Sequence, residues 1–138
     1  MIRLMTIEDT YIRLSRPNMR EIRSITALSI PELLQRLMTA FHCYVYEYEG
    51  NVLAVFGVDN CGECFLYFAS TDSLPLSFYR EIKTFLYQQV QRYGNVHSVI
   101  MTENHFALRL AKHLGARLGK PYMDDGHEYM RFEVRLCV

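Results

Sequence analysis

The amino-acid sequence predicts one mixed α/β domain with the element order β-α-α-β-β-β-α-β-α-β-β. Two observations carry the element order: short apolar or alternating runs between turn residues indicate strands, and apolar stripes at helical spacing indicate helices. A third observation, on the chain as a whole, predicts a single domain. Its 138 residues contain no repeat, low-complexity tract or linker, and this length suits one domain with a substantial core. We therefore expect residues 1–138 to form a single domain whose mostly antiparallel sheet is flanked by helices.

The first forty residues predict one short strand followed by helices. Residues 2–5 form the strand candidate, and Thr6 begins a helix start because its side-chain oxygen can accept a free backbone N–H. Proline is tolerated in the first helical turn, where its missing N–H has no partner to lose. Pro17 and Pro31 therefore predict helices over about 18–24 and 31–41.

The middle of the chain predicts three antiparallel strands joined by short hairpins. Residues 43–49 alternate in side-chain character, and Gly50-Asn51 then turns the chain. Residues 52–58 and 64–69 are apolar on both faces, which is typical of strands covered by helices on both sides. We expect these two runs to form the buried middle of one sheet.

The second half predicts a helix, a strand, a helix and a final hairpin. Apolar residues at helical spacing begin at Phe78 and predict a helix that ends at Gly94. Residues 96–101 form the next strand, which we expect to lie parallel to the preceding strand through a right-handed crossover. A helix over about 105–114 ends at Gly115. Residues 120–123 and 128–136 then form a hairpin around an Asp-Asp-Gly turn.

Composition and charge argue against several classes of function. Fifteen basic residues balance fifteen acidic ones, so the chain offers no general electrostatic attraction for nucleic acid or an anionic membrane. No run of about 18 apolar residues is present, and no membrane segment or secretion signal is indicated. Arginines recur every three or four residues near the N-terminus, and we interpret them as a solvated face: Arg13, Arg16, Arg20 and Arg23.

The four cysteines indicate neither a disulfide scaffold nor a zinc site. Cys61-Gly62-Glu63-Cys64 is a lone CxxC between two predicted strands, whereas a structural zinc site takes four ligands, usually from two such pairs. We therefore predict no bound metal and interpret the motif as a turn with partly buried thiols.

A motif near the C-terminus gives the chain a family resemblance. Asn104-x-x-Ala107, followed by Leu114-Gly115, resembles the last motif of the GNAT family of acyl-CoA N-acyltransferases, and the predicted element order matches that fold over essentially the whole chain. The resemblance implies a GNAT-like fold with acetyl-CoA as the donor. It also implies that Asn104 faces the cofactor and that Ser77 and Phe78 lie at the helix start that holds the diphosphate. A helix cap is the alternative role for Asn104.

Two features of the family pattern are missing. The family's diphosphate loop is rich in glycine, but residues 70–77 read Ser-Thr-Asp-Ser-Leu-Pro-Leu-Ser and contain none. Ala111 stands where the family often has a tyrosine general acid, so that another acid would be needed, the candidates being Tyr67, His105 and Tyr122. We expect no bound cofactor and no saturation by acetyl-CoA below millimolar concentration.

A narrower resemblance rests on short stretches of sequence. Residues 60–65, 70–72 and 112–116, with Asp125-Gly126 downstream, look like those of a GNAT-like internal virion or morphogenesis protein of short-tailed phages. This predicts a phage or prophage assembly protein without standard acetyltransferase activity, with phage structural proteins as partners. It would act in the host cytoplasm or in the virion. The alternatives are an acyl-CoA-dependent N-acetyltransferase with an atypical diphosphate loop, and a small-ligand or peptide-binding module.

Overall fold

A computed structural model describes residues 1–70 and 74–135 of the chain. The elements follow the predicted order, with one short 3-10 helix and one short strand added. They are β1 (Ile2–Leu4), the 3-10 helix (Ile7–Tyr11), α1 (Arg16–Ile25), α2 (Ile30–Ala40), β2 (His42–Tyr48), β3 (Asn51–Val58), β4 (Cys64–Phe68), α3 (Leu76–Tyr93), β5 (Asn95–Met101), α4 (His105–His113), β6 (Arg117–Leu118), β7 (Tyr122–Asp124) and β8 (His127–Arg135). The predicted mixed α/β fold class is confirmed.

The helix start predicted at Thr6 is a 3-10 helix rather than an α-helix. The Asp9 carboxylate accepts hydrogen bonds from the Thr6 backbone N–H at 2.7 Å and from the Thr6 hydroxyl at 3.1 Å. The same carboxylate forms an ion pair with Arg3 at 2.9 Å, and this pairing ties the short turn to β1. The added strand β6 pairs with β8. Because β6 has only two residues, its sequence shows no periodic pattern that would predict a strand.

The strands form two sheets, whereas the sequence predicted one. The first has the antiparallel order β1-β2-β3-β4, and the second has the order β5-β8-β6 with β7 also paired to β8. β5 does run parallel to β4, but the two strands meet only at an isolated bridge between Glu63 and His97. There the His97 backbone N–H donates to the carbonyl oxygen of Gly62 at 2.9 Å. Beyond this bridge the two sheets separate.

Gly62 permits this contact. Its φ is +86°, and a Cβ atom at this position would lie 2.3 Å from the backbone carbonyl oxygen of Asn95. A side chain would therefore push β5 away in addition to straining the turn. The glycine thus fixes the point from which the two sheets diverge.

The first sheet is covered by helices on both faces, as the apolar character of its strands predicted. On one face, the buried residues Ile22 of α1 and Leu34 of α2 share a core with Val45 and Val55. On the other face, residues of α3 and α4 pack against apolar residues of β2, β3 and β4. The expectation that 64–69 lies in the middle of a sheet is wrong, because β4 is an edge strand and is mostly half-buried.

No helix in the described residues, 1–70 and 74–135, is long and apolar enough to cross a membrane.

Candidate functional site

A cleft lies between β4 and β5, where the two sheets diverge. The bridge at Gly62 closes one end, and a cavity of about 130 Å³ occupies the space beyond it. Its walls come from β3, β4, α3, β5, α4 and β8 and are mostly apolar. Among the described residues that line it, Glu21 is the only one with a charged side chain. The edge position of β4 therefore exposes one side of that strand to a cavity instead of to a neighbouring strand.

Helix α1 crosses the open end of the cleft. At its start, the Asn18 side-chain oxygen accepts the Phe68 backbone N–H at 2.7 Å, and the Ser15 backbone N–H donates to the Phe68 carbonyl at 2.8 Å. At its end, the Tyr129 hydroxyl of β8 donates to the Ser24 hydroxyl at 2.7 Å. The helix is thus tied to both sheets, and its middle, with Glu21, faces the cavity.

The Glu21 carboxylate is held from the β5 side of the cleft. It accepts a hydrogen bond of 2.6 Å from the Asn104 side-chain nitrogen and another from the backbone N–H of Met101. Burial among apolar residues raises the pKa of Glu21 above its usual value, although both hydrogen bonds act in the opposite direction. A carboxylate with a raised pKa in an apolar cleft is the arrangement that suits a general base.

Asn104 caps α4 and positions Glu21 at the same time. Its side-chain oxygen accepts the Ala107 backbone N–H at 3.2 Å, while its nitrogen donates to Glu21. The side chain is buried, at 3% exposure. The alternative role as a helix cap is therefore what the structure shows, and a direct contact between Asn104 and a cofactor stays a prediction.

The Tyr67 side chain of β4 also lines the cavity. Glu21 lines the same cavity. Burial raises the pKa of Tyr67 well above its usual range, and the negative charge of Glu21 raises it further. The Tyr67 hydroxyl has no hydrogen-bond partner within residues 1–70 and 74–135. It is consequently a protonated donor that a ligand in the cleft can use.

Comparison with known proteins identifies the architecture. No protein-family model and no curated protein matches the sequence. Solved structures do match over nearly their whole length. An N-acetyltransferase from Staphylococcus aureus Mu50 gives a TM-score of 0.72 at 14% identity, covering 98% of this chain and 97% of that one. The chain has the GNAT fold.

Two further structures agree with this assignment. A ribosomal-protein-alanine N-acetyltransferase from Brucella melitensis gives a TM-score of 0.68 at 15% identity, covering 99% of each chain. The yncA protein from Salmonella typhimurium, solved with its cofactor acetyl-CoA, gives 0.66 at 14% identity and covers 100% of this chain and 94% of that one. Sequence identities of 14–15% establish a common fold but carry no information about a common activity. The narrower resemblance to phage virion proteins gains no support from these structures.

Within the GNAT fold, only one of the three candidate acids lies in the cleft. Ala111 of α4 is buried and lines the same cavity as Tyr67, so its small side chain leaves open the space that a tyrosine would fill. His105 is exposed at the first residue of α4. Tyr122 is 39% exposed on β7, where its ring packs against Tyr129 at 5.9 Å. Of the three candidates, Tyr67 alone lines the cavity that Glu21 also lines.

The start of α3 is described only from residue 74 onward. The Ser77 hydroxyl lies 2.6 Å from the Tyr46 hydroxyl, and the Phe78 ring is fully buried. The Phe78 backbone N–H donates to the Pro75 carbonyl at 2.9 Å, whereas the N–H groups of Leu76 and Ser77 have no backbone partner among residues 1–70 and 74–135. The glycine-free stretch at 71–73 lies outside the described residues, and its effect on diphosphate binding stays a prediction.

The CxxC segment forms the turn that joins β3 to β4. The Asp59 carboxylate accepts the backbone N–H groups of Cys61 and Glu63 at 2.8 and 3.0 Å. Cys61 is exposed, whereas burial raises the pKa of Cys64 to about 12. In the described parts of the chain, no group of three or more His, Cys, Asp or Glu side chains is arranged to hold a metal ion.

Sequence reasoning missed Glu21. It lies between Arg20 and Arg23, in the stretch of arginines that the sequence pattern indicates as a solvated face. The available signal was its position beside Asn18 and Ile22, the two buried residues of α1. An acidic residue at the border of a buried helix face deserves consideration as a site residue when the fold is known.

Proposed function

We propose that the protein is an acyl-CoA-dependent N-acyltransferase whose acceptor amine is bound and deprotonated at Glu21. One observation carries the proposal: a partly buried carboxylate and a tyrosine hydroxyl without a hydrogen-bond partner among the described residues line the same mostly apolar cavity. Support also comes from the fold, since N-acetyltransferases from several bacteria share it over nearly their whole length. Fold alone does not carry the activity, which depends on the site.

Acyl transfer to an amine needs a group that removes a proton. An acceptor that arrives as an ammonium group first releases one proton to solvent. The neutral amine nitrogen then attacks the thioester carbonyl carbon, a C–N bond forms, the C–S bond breaks, and the nitrogen loses its second proton. The Glu21 carboxylate can take that proton, and its raised pKa makes it a stronger base than an exposed glutamate. The proton finally leaves with the sulfur as the free thiol.

Tyr67 suits a different role from that of a proton donor. Its raised pKa keeps it neutral at neutral pH, and a thiolate with an ordinary pKa near 8.5 is too weak a base to deprotonate it. As a neutral donor it can stabilise negative charge that develops on the thioester oxygen or sulfur. This role requires no tyrosine at Ala111.

The cleft fits the reactive end of an acyl donor. Small-molecule sites span about 300–1,000 Å³, so a cavity of about 130 Å³ matches an acyl group and its thioester rather than a whole coenzyme. The donor's diphosphate would lie outside the cavity, where the free N–H groups of Leu76 and Ser77 favour an anion. Bound in this way, acyl-CoA would supply an activated carbonyl carbon to the cleft.

The proposal is tested by measuring thiol release from acetyl-CoA with a panel of peptide and small-molecule amines. We expect saturable transfer to at least one amine. Glu21→Gln should lower kcat about 10²- to 10⁴-fold, as expected for loss of a general base. Tyr67→Phe should lower the rate, because it removes the hydroxyl that lies in the cleft. Tyr122→Phe is the matched control: it removes a hydroxyl outside the cleft and should leave the rate unchanged. Absence of transfer by the unmodified protein across the panel would reject the proposal.

A second candidate is a phage or prophage virion or assembly protein that keeps the fold without transferase activity. Ala111 favours it, because the position lines the cleft and carries no acid. The glycine-free sequence at 70–77 points the same way. This candidate predicts neither transfer nor acetyl-CoA binding, together with co-purification with phage structural proteins. A peptide-binding module using the same cleft would bind peptide without consuming acetyl-CoA.

A further inference from the structure

A groove lies outside the cleft, on the outer side of the Glu21–Asn104 hydrogen bond. It has a volume of about 130 Å³ and is lined by Arg16, Pro17 and Arg20 of α1 together with Met101, Glu103 and Asn104. Asn104 belongs to this groove and Glu21 to the inner cavity, and their side chains are joined at 2.6 Å. The groove and the cleft therefore lie on opposite sides of this hydrogen bond, and only the Asn104 side chain separates the groove from the carboxylate to which the proposed function assigns the amine.

The lining of the groove carries two positive charges and one negative charge. Arg16 and Arg20 are exposed, and within the described residues neither forms a hydrogen bond or an ion pair. Glu103 is the one carboxylate in the lining, against two guanidinium groups. In a chain with no net charge, this local excess is a specific feature of one helix face.

The spacing of the two arginines fits an extended peptide. Residues four apart on a helix lie about 6 Å apart along the axis. Alternate side chains of an extended chain lie about 6.5 Å apart. Arg16 and Arg20 can therefore each contact one of two acidic side chains on the same face of a bound strand. Guanidinium groups are well suited to carboxylates because they offer paired donors.

The order of charges also predicts the orientation of a bound peptide. A positive ammonium group is favoured at Glu21, and negative groups are favoured farther out at the arginines. A peptide whose free N-terminal amine precedes acidic side chains matches both ends. Nucleic acid does not match, because it would bring a phosphate rather than a cation toward the buried carboxylate.

We propose that the groove formed by α1 and the residues preceding α4 binds acidic peptides and selects them as acyl acceptors through Arg16 and Arg20. This inference deepens the proposed function and rests on it for the step of transfer. Binding of the peptide itself can be tested without that step.

Two measurements on the full chain separate the two proposals. The first is fluorescence anisotropy with ten-residue peptides labelled at the C-terminus, one with Asp or Glu at alternate positions after the free amine and one with Gln there. The second is kcat/KM for acetyl transfer to the same peptides. We expect the acidic peptide to be favoured about three- to tenfold in each, because exposed ion pairs contribute modestly.

The double variant Arg16→Gln/Arg20→Gln should remove this preference, whereas Arg92→Gln, on an exposed arginine near the end of α3, should retain it. Selective binding of the acidic peptide without acetyl transfer would support the peptide-binding groove and reject the proposed acyltransferase activity. Acetyl transfer without a preference for acidic peptides, or with a preference that is unchanged in the double variant, would overturn the proposed peptide selection by the groove and leave the proposed acyltransferase activity standing. Neither binding nor transfer would overturn both. A circular dichroism melt confirms that each variant is folded.

Discussion

Replacing Glu21 with glutamine separates the role of this residue in the site from its effect on stability. The glutamine oxygen can still accept from Asn104 and from the Met101 backbone N–H, so the helix anchor is preserved while the charge is removed. Burial raises the pKa of Glu21, which means that the folded protein disfavours the ionised carboxylate. The substitution should therefore affect activity and stability in different ways.

The sign of the stability effect follows from linkage. Below the pKa of an unfolded glutamate, near 4.3, the carboxyl is protonated in both states and resembles glutamine. As pH rises from there through the raised folded pKa, the wild type loses stability relative to the variant, and above the folded pKa the loss is complete. Each unit between the two pKa values contributes about 1.4 kcal/mol. The variant's relative stability should thus increase as pH rises from about 4 through the raised folded-state pKa of Glu21.

The assay is urea denaturation of wild type and Glu21→Gln at several pH values, with thiol release measured on the same samples. Glu8→Gln is the control, because Glu8 is exposed and does not line the cleft. We expect Glu21→Gln to lose activity about 10²- to 10⁴-fold while gaining relative stability as pH rises. A stability difference that is constant with pH, or that has the opposite sign, would refute the reasoning about the buried charge.

Three further outcomes can be checked on purified protein. Phe68→Ala should lower the free energy of unfolding by about 3–5 kcal/mol, since the ring is 1% exposed; an unchanged urea midpoint would contradict this. Gly62→Ala should destabilise more than Gly50→Ala, because both have positive φ but only the first would place a Cβ against Asn95; equal effects would argue against the close approach. Elemental analysis should find no stoichiometric zinc on the 61–64 turn, whereas about one zinc per chain, with unfolding on chelation, would overturn that prediction.

Most of the fold could be predicted because each element carries a local signal. Apolar spacing indicated α3 and α4, and paired apolar runs with turn residues indicated β3 and β4. The division into two sheets could not be predicted this way. It depends on where β4 and β5 touch, which a single backbone contact at Gly62 decides. Apolar character on both faces of β4 arises equally from a neighbouring strand and from an apolar cleft.

The site was only partly predictable for a related reason. The family motif located Asn104, and the search for a substitute acid included Tyr67 among residues far from it in sequence. Glu21 lies 83 positions before Asn104, and no local pattern connects the two residues. Their contact exists because α1 is anchored to the end of β4 by Asn18 and therefore crosses the cleft. Such a long-range arrangement becomes visible only in three dimensions.

The proposed function requires the cleft between β4 and β5 to take the acyl end of acetyl-CoA. The most direct test is a titration of ¹⁵N-labelled protein with acetyl-CoA, followed by amide chemical shifts, because this method detects even the millimolar affinity expected of a glycine-free loop. We predict saturable shifts at Tyr67, Ala107 and Ala111, with Arg92 unaffected. No shift at millimolar ligand, or shifts confined to residues outside the cleft, would contradict the account.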